Sequence, residues 1–421
     1  MIVRKPMPVE PFRILILGDF SGRGNRGVRE RFLSRRPVLV DRDNFDDVLS
    51  GMHAGLEFSD VSLSFRELDD FHPDNLYRES GSPIEEVKHA APRANLPDPS
   101  SGSLLDQILD AGDGGAPPEM IGPTGDLAGY IAKSVRPHLV PKVDPVHRAA
   151  IAKAEATTAE GMRALLHHPD FQALEAAWRA IWMLVRGLDT DGDLKLYLFD
   201  VTLEEIAADP AGLQELLTAS KEPWALIMGN FAFGQSRTDV NMLSLFGLLA
   251  QKAKAPFLAE AVPPSDDASE EWAALRREPE ASSIGLALPR FLLRLPYGKD
   301  TSPLENFPFE EMPESVHQHY LWGNPAFCCV LLLGQSFLQN GWDMRPGTIR
   351  RIEDLPLHVY LEDGESCVKP CAEVLMTERT ADLLMEQGIM PLASMKEQDA
   401  VLLVRFQSIA NPPGALAGRW Q

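Results

Sequence analysis

The chain has 421 residues and carries 61 acidic side chains against 40 lysines and arginines, a formal net charge of −21. This length allows two or three domains with hydrophobic cores, and 44% hydrophobic residues are ordinary for a globular protein. The acidic balance argues against general binding to nucleic acid or to an anionic membrane surface.

The charge is unevenly distributed. Residues 1–36 contain nine basic and three acidic side chains, a net charge of +6, so the rest of the chain carries −27. This asymmetry predicts head-to-tail contact between copies or docking on an acidic partner; a solvated, arginine-rich loop is the alternative.

Four cysteines do not form a disulfide framework in a chain of this length, which indicates a reducing compartment. The apolar run Ile14–Leu17 is too short for a secretory signal. The run Ala326–Leu333 falls far short of the roughly 20 residues that a membrane-spanning helix needs. We therefore expect a cytoplasmic protein without a membrane span.

The first of three segments, residues 1–79, alternates short apolar runs with turns and ends in turn residues at His72–Asp74. Its patterns predict three strands and one short helix. The strands are Phe12–Leu17, Val38–Val40 and Val61–Phe65, and the helix is Asn44–Met52.

The second segment, residues 80–146, is rich in Pro, Gly, Ser and Asp and is predicted to be a linker. It contains one apolar island, SLLDQILD at residues 103–110, in which Ser103 can cap a two-turn helix. A helix of two turns is too short to be stable alone. The island is therefore either a docking motif that binds in a groove of a partner or a helix that folds back on its own domain.

The third segment, residues 147–421, alternates helical and strand patterns, which favours a mixed or parallel sheet covered by helices. An amphipathic helix at Leu166–Val185 carries Trp178 and Trp182 on one apolar stripe, with Pro169 in its first turn. The other predicted helices are residues 147–168 and 239–254, and the predicted strands or apolar runs are residues 193–200, 224–228, 284–288, 291–295 and 327–333.

Two patterns suggest small-molecule or metal binding. Gly22–Gly27 reads G-x-G-x-x-G after a strand, with Asp41 further on, the outline of a dinucleotide fingerprint. However, only about two helical turns fit before Pro37, too few for a crossover helix. Histidines and cysteines that could bind a metal match no zinc spacing; they are His317, His319, Cys328, Cys329, His358, Cys367 and Cys371. The sequence predicts no catalytic residues, no cofactor and no metal, and hence a binding or assembly role.

Three tracts of the first segment resemble TssB (ImpB), the small subunit of the type VI secretion contractile sheath. They are ILGDFSG (Ile16–Gly22), DRDNFDDVL (Asp41–Leu49) and LSFRELDDFHPDNL (Leu63–Leu76). Residues 103–408 resemble the large subunit, TssC (ImpC), through the tryptophan helix and six further tracts. These are IMGNFAF (Ile227–Phe233), KAKAPFLAEA (Lys252–Ala261), ALPRFLLRLPYG (Ala287–Gly298), FPFEE (Phe307–Glu311), YLWGNPAF (Tyr320–Phe327) and LPLHVYL (Leu355–Leu361).

The resemblance implies an α/β (α+β) fold of contractile tail-sheath-like domains, with mixed sheets covered by helices. It divides the chain into a small sheath domain (1–79), the linker (80–146) and a large sheath domain (147–421). LLDQIL is similar to the short TssC helix that the AAA+ unfoldase ClpV grips. The expected partner-binding residues are Leu104, Leu105, Asp106, Ile108 and Leu109.

The chain departs from the family because both resemblances lie in one polypeptide. No counterpart of the TssB C-terminal helices follows Leu76, and the TssC-like part ends near Phe406–Ser408. In the family these ends help to exchange strands between subunits, so we expect another interface or a terminal position.

Three hypotheses follow. The leading one is a sheath subunit that binds other copies or sheath subunits around an inner tube. The second is a non-polymerising accessory with the sheath fold, at a baseplate or cap or as an unfoldase adaptor. The third is a dinucleotide-binding enzyme that uses Gly22, Gly24 and Gly27.

Overall fold

A computed structural model of the chain describes residues 10–59, 61–79, 84, 145–219, 222–264, 269–362, 364–396 and 398–420. The chain divides into two compact units, Met1–Ser80 with Met162–Gln421, and Gly81–Gly161. In the second unit the structure describes Ile84 and residues 145–161. Residues 145–161 form most of the helix Pro145–Leu166.

The described residues form fifteen strands and eleven α-helices. The strands are β1 (Phe12–Gly18), β2 (Val38–Val40), β3 (Gly55–Glu57), β4 (Ser62–Ser64), β5 (Leu194–Asp200), β6 (Leu226–Phe233), β7 (Phe257–Ala261), β8 (Ile284–Leu288), β9 (Phe291–Leu292), β10 (Trp322–Gly323), β11 (Arg351–Ile352), β12 (His358–Glu362), β13 (Glu365–Lys369), β14 (Ile389–Ser394) and β15 (Val401–Leu403). The helices are α1 (Arg23–Arg26), α2 (Phe45–Gly51), α3 (Pro73–Glu79), α4 (Pro145–Leu166), α5 (Pro169–Gly187), α6 (Leu203–Ala208), α7 (Pro210–Thr218), α8 (Arg237–Ala253), α9 (Glu270–Leu275), α10 (Ala326–Asn340) and α11 (Glu378–Glu386).

One nine-stranded mixed sheet organises the first unit, in the order β11-β15-β14-β8-β7-β6-β1-β5-β2. The six strands from β14 to β5 are parallel, and β2, β15 and β11 pair antiparallel at the two ends. The chain therefore has the α/β fold with a mixed sheet that the sequence predicts.

Strand β1 joins the first segment to the third. It pairs with β5 on one side and with β6 on the other, so that Ile14 lies opposite both Leu196 and Leu226. All seven residues of β1 are buried, as expected of a parallel strand with both faces covered. The segments predicted as a small and a large domain thus contribute strands to one sheet.

Helices cover both faces of the sheet. Leu15 and Leu17 of β1 belong to a core cluster with Leu243 and Phe246 of α8. Because side chains alternate along a strand, Ile14 and Ile16 point to the opposite face. That face is covered by α10, which contacts β5, β6, β7 and β8 and packs against α5.

The tryptophan helix α5 is shaped by local signals. Pro169 occupies its first turn, and His168 caps it by accepting the Asp170 N–H at Nδ1, with an N···N distance of 3.3 Å. Trp178 is fully buried, and its Nε1 donates to the carbonyl of Phe20 at 2.8 Å. Trp182 packs against the Phe45 ring but remains partly exposed.

The structure corrects two predicted strands. Residues 327–333 lie in helix α10 rather than in a strand, and residues 291–295 form only the two-residue strand β9. A helix buried on nearly every side has an apolar run without helical periodicity, so the pattern cannot distinguish it from a strand. Within the described ranges, none of the helices has the length and apolar character needed to cross a bilayer.

Candidate functional site

The glycine-rich loop after β1 is a closed turn held by two carboxylates. The Asp200 carboxylate accepts the N–H groups of Phe20 and Ser21 at 2.8 and 3.0 Å. The Asp19 carboxylate accepts those of Arg23 and Gly24, both at 2.8 Å. Burial raises the pKa of Asp19, and the hydrogen bond from the Gly24 N–H opposes that rise.

These contacts argue against the dinucleotide site that the G-x-G-x-x-G pattern suggested. A pyrophosphate would need the backbone amides that already donate to Asp19 and Asp200. Helix α1 also contains only four residues. Arg23 is buried and pairs with Asp200 and Glu205 at 2.8 and 3.1 Å, so it is committed to the protein interior.

The conformation of Gly22 yields a first prediction. Gly22 has φ of 71°, and a Cβ atom there would lie 2.1 Å from the Gly55 carbonyl oxygen. We expect Gly22→Ala to lower the free energy of unfolding by more than about 2 kcal/mol. The control is Gly27→Ala, which also has positive φ but open space at the Cβ position and should cost about 1 kcal/mol. Equal losses in urea denaturation would contradict the close approach.

The structure disperses the histidines and cysteines that were considered as metal ligands. Among the residues it describes, no group of three His, Cys, Asp or Glu side chains is placed to hold a metal. Cys328 and Cys329 are buried in α10, and burial raises the pKa of Cys329 to about 12, which disfavours the thiolate that binds metals. His317 interacts with Glu373 and Lys369, and His358 with the Tyr320 hydroxyl.

A buried charge network connects three of the TssC-like tracts. Arg294, from ALPRFLLRLPYG, forms two hydrogen bonds to Glu175 of the tryptophan helix, at 2.8 and 3.1 Å. It forms two more to Glu311, from FPFEE, also at 2.8 and 3.1 Å. Arg179 donates to Glu175 and to the Tyr297 hydroxyl at 2.7 and 3.0 Å. Charge-assisted hydrogen bonds therefore hold the tryptophan helix to two tracts that lie more than 100 residues later in the chain.

The protonation of this network follows from its contacts. Burial alone would raise the pKa of Glu311, but the Arg294 charge, the His167 ring 3.7 Å away and hydrogen bonds from Arg294 and the Tyr297 N–H lower it to about 2. The carboxylate is thus ionised at neutral pH. Each oxygen of the Glu175 and Glu311 carboxylates accepts a hydrogen bond from an arginine of the network. The network is therefore suited to fixing the fold rather than to proton transfer.

Contacts between the TssB-like and TssC-like segments extend beyond the sheet. The Asp74 carboxylate, in the HPDNL tract, accepts the backbone N–H groups of Glu305 and Asn306. The Tyr77 ring packs on Phe307, with centroids 5.2 Å apart. The two segments therefore share an intramolecular interface as well as a sheet.

Glu260, near the end of β7, yields a pH-dependent prediction. Burial raises its pKa from 4.5 to about 7; the charge of Arg290 opposes the rise and that of Glu373 adds to it. The folded protein therefore binds more protons than the unfolded chain between these values, so this group lowers stability as the pH rises through that window. We expect Glu260→Gln to be more stable than the wild type. The difference in the free energy of unfolding should be about 2 kcal/mol larger at pH 8 than at pH 5.

Urea denaturation at both pH values measures this difference, and Glu271→Gln, at an exposed position in α9, is the control. If the stability difference between Glu260→Gln and wild type does not change with pH, the raised pKa of Glu260 is contradicted.

A cavity of about 700 Å³ lies beside the tryptophan helix. Leu292 and Leu331 line it together with Trp182, Arg186 and Arg351. Its lining residues include no serine, threonine, cysteine, lysine or histidine that could act as a nucleophile or as an imidazole base.

The predicted unfoldase-docking residues Leu104, Leu105, Asp106, Ile108 and Leu109 lie outside the residues that the structure describes. The buried network was not predicted from the sequence, because Glu175 lies 119 residues before Arg294 and no spacing pattern links either residue to Glu311. A signal was present in the charged residues within otherwise apolar tracts, since a charge in a core segment needs a buried partner.

A mixed sheet covered on both faces by helices defines an α/β protein, and its charge network and glycine-rich loop are bonded within the fold. The chain belongs to the VipB tail-sheath family: its model (EvpB/VC_A0108, tail sheath N-terminal domain) matches residues 148–265 and 264–410. Residues 9–87 match the T6SS_VipA model (Type VI secretion system, VipA, VC_A0107 or Hcp2). The resemblance to both sheath subunits is thereby confirmed.

A curated relative is the type VI secretion system sheath protein TssC1 of Pseudomonas aeruginosa, 29% identical over 303 residues. The match covers 62% of this chain and 61% of the relative. Two solved structures are also similar. The anti-feeding prophage baseplate matches with a TM-score of 0.34 and 15% identity, over 56% of this chain and 51% of that chain. The contracted helical sheath of the same prophage matches with a TM-score of 0.30 and 16% identity, over 53% and 49%.

Proposed function

We propose that the chain is a structural sheath subunit of a type VI secretion or related contractile injection system, assembling with other sheath subunits around an inner tube. One observation carries the proposal. Strand β1, from the VipA-like residues, lies between β5 and β6, from the VipB-like residues, so the two sheath segments fold together. The proposed organisation is a small sheath segment (1–79), a linker (80–146) and a large sheath segment (147–421), in a cytoplasmic protein that is not an enzyme.

Negative-stain electron microscopy tests this function on the purified chain, alone and mixed with its inner tube protein and sheath subunits. Rings, tubes or incorporation into a sheath are expected. A monomer that joins none of these assemblies contradicts the polymer role. Binding to baseplate components without polymerisation would instead identify the accessory protein.

We further propose that residues 103–110 are bound by a ClpV-type AAA+ unfoldase. The support is the sequence: the spacing of Leu105 and Ile108 predicts one apolar face on a two-turn helix that Ser103 could cap. Replacing both with aspartate should abolish unfoldase binding in a pull-down with the full chain. Aspartate at Ser101 and Ser103, which keeps the apolar face, is the matched control. Unchanged binding by the Leu105→Asp/Ile108→Asp variant would refute the docking helix.

A further inference from the structure

Two histidine rings stack where the tryptophan helix begins. His167 lies in the short turn between α4 and α5, and its ring faces that of His319, with centroids 3.8 Å apart and an interplanar angle of 11°. The His167 side chain is 11% exposed, and its Nε2 has no hydrogen-bond partner in the described part of the chain. The two rings are therefore in van der Waals contact and leave no room for another group between them.

Two hydrogen bonds hold the same corner of the fold. Arg163, one turn before His167 on α4, donates to the carbonyl of Glu310 at 3.2 Å. Gln172, in the first turn of α5, donates to the carbonyl of His319 at 3.3 Å. We name these five residues the corner joint, because they attach the turn between α4 and α5 to residues 310–319.

One carboxylate balances positive charge at the stacked pair. Among the described residues, Glu311 supplies the one Asp or Glu oxygen within 4 Å of either ring, 3.7 Å from His167 Nε2. Both of its oxygens already accept hydrogen bonds from Arg294. The other titratable groups near the joint bond elsewhere: the Glu310 carboxylate accepts the Lys299 N–H, His317 contacts Glu373 and Lys369, His358 contacts Tyr320, and His168 accepts the Asp170 N–H. The joint can therefore balance at most one added proton.

A second proton on the stacked pair is disfavoured. It would place two imidazolium cations 3.8 Å apart, and like charges at that distance oppose ionisation. Burial lowers the pKa of His319 from its ordinary value of 6.5, and the charge of His167 lowers it further, whereas Glu311 opposes the shift. Separated rings in water each bind a proton at about pH 6.5. The open joint thus binds more protons than the closed joint below that pH, so the stability of the closed joint is complete above it and is lost as the pH falls.

We infer that the stacked His167–His319 pair is a pH-sensitive switch, which keeps the corner joint closed while at most one ring is charged and opens it when both are charged. Histidine suits this role because its charge changes between pH 5 and pH 8. The other two contacts of the joint are side-chain hydrogen bonds at an exposed and a partly buried position, and water can replace them once the rings separate. The switch belongs to the chain itself and does not depend on assembly into a sheath.

Hydrogen exchange of the full chain, followed by mass spectrometry, measures this opening. The reporters are the backbone N–H groups of His167, His168 and His319, which donate to carbonyls within the corner in the closed joint. Their protection factors, which correct for the pH dependence of chemical exchange, should fall about tenfold from pH 7.5 to pH 5.5. This is the effect of one additional proton bound by the open joint.

Substitution of either stacked ring should remove this response. His319→Phe and His167→Phe each keep an aromatic ring in the stack but leave one ring that can be charged. In both variants the protection factors at pH 5.5 should stay within about twofold of those at pH 7.5. Since each variant tests the same pair, one that folds is sufficient.

His168→Asn is the matched control for these variants. His168 also titrates, and its Nδ1 caps α5, whereas asparagine supplies a cap that does not titrate. This variant should lose protection at pH 5.5 as the wild type does. The N–H groups of β1, inside the nine-stranded sheet, report global unfolding and should remain more protected than the corner.

A folded phenylalanine variant that retains the tenfold loss overturns the switch. So does a wild-type chain whose corner amides have the same protection at both pH values. If those amides are no less protected than β1 at pH 5.5, the opening is global and the switch is likewise overturned. Loss of the pH response in His168→Asn would assign it to the helix cap instead of the stacked pair.

Discussion

Replacement of Arg294 by methionine is expected to lower the free energy of unfolding by about 3–5 kcal/mol. The Arg294 guanidinium is 9% exposed and is the shared partner of Glu175 and Glu311, whose side chains are almost fully buried. Methionine keeps much of the side-chain volume but leaves two buried carboxylates without this cation. Urea denaturation followed by far-UV circular dichroism measures the loss.

The pH dependence of this loss separates a charge effect from poor packing. In the wild type the pKa of Glu311 is lowered to about 2, so its contribution is complete above the ordinary value of 4.5 and is lost as the pH falls toward 2. Without Arg294, burial dominates and raises the pKa of the Glu311 carboxyl group. Protonation at acid pH then removes the free-energy cost of an unpaired buried charge in the variant. The stability difference between wild type and variant should therefore shrink from pH 7 to pH 4.

Arg351→Met provides the matched control for Arg294→Met. Arg351 pairs with Glu353 at 2.8 Å, but both side chains are exposed. An exposed pair of this kind contributes about 0–1 kcal/mol. Comparable losses for the two arginine variants, or a loss in Arg294→Met that does not change with pH, would show that the buried network does not hold the three tracts together.

Replacement of Trp178 by alanine should cost about 3–5 kcal/mol. Its ring is fully buried between the TssB-like and TssC-like segments, with Phe20 and Phe45 centroids at 6.0 and 5.7 Å. Trp178→Phe removes the hydrogen bond to the Phe20 carbonyl together with part of the buried ring, and should cost about 1–3 kcal/mol. Trp182→Ala, on the same helix but partly exposed, should cost less than half as much as Trp178→Ala. Equal effects of the two alanine substitutions in urea denaturation would contradict the central role of Trp178.

The sequence predicts several elements closely because their signals are local. Strand Ile284–Leu288 has the predicted bounds, and β1 and β5 differ from prediction by one residue at one end. The tryptophan helix follows from its apolar spacing and its first-turn proline. The tracts resembling TssB and TssC also identify the family, which the family models confirm.

The partners of these elements cannot be predicted in the same way. Periodicity shows that β1 is buried, but only the folded chain places it between β5 and β6. The same limit applies to Glu175, Arg294 and Glu311, because a buried charge requires a partner without indicating where in the chain that partner lies.

The sequence by itself determined the sheath family, the α/β class and the local elements, since each depends on residue patterns over a few turns or strands. Only the tertiary structure decided that two sheath-like segments share one sheet, that residues 327–333 are helical and that Asp19 and Asp200 occupy the amides of the glycine loop. These outcomes depend on strand pairing and burial between distant residues, where the free energy of packing outweighs local propensity.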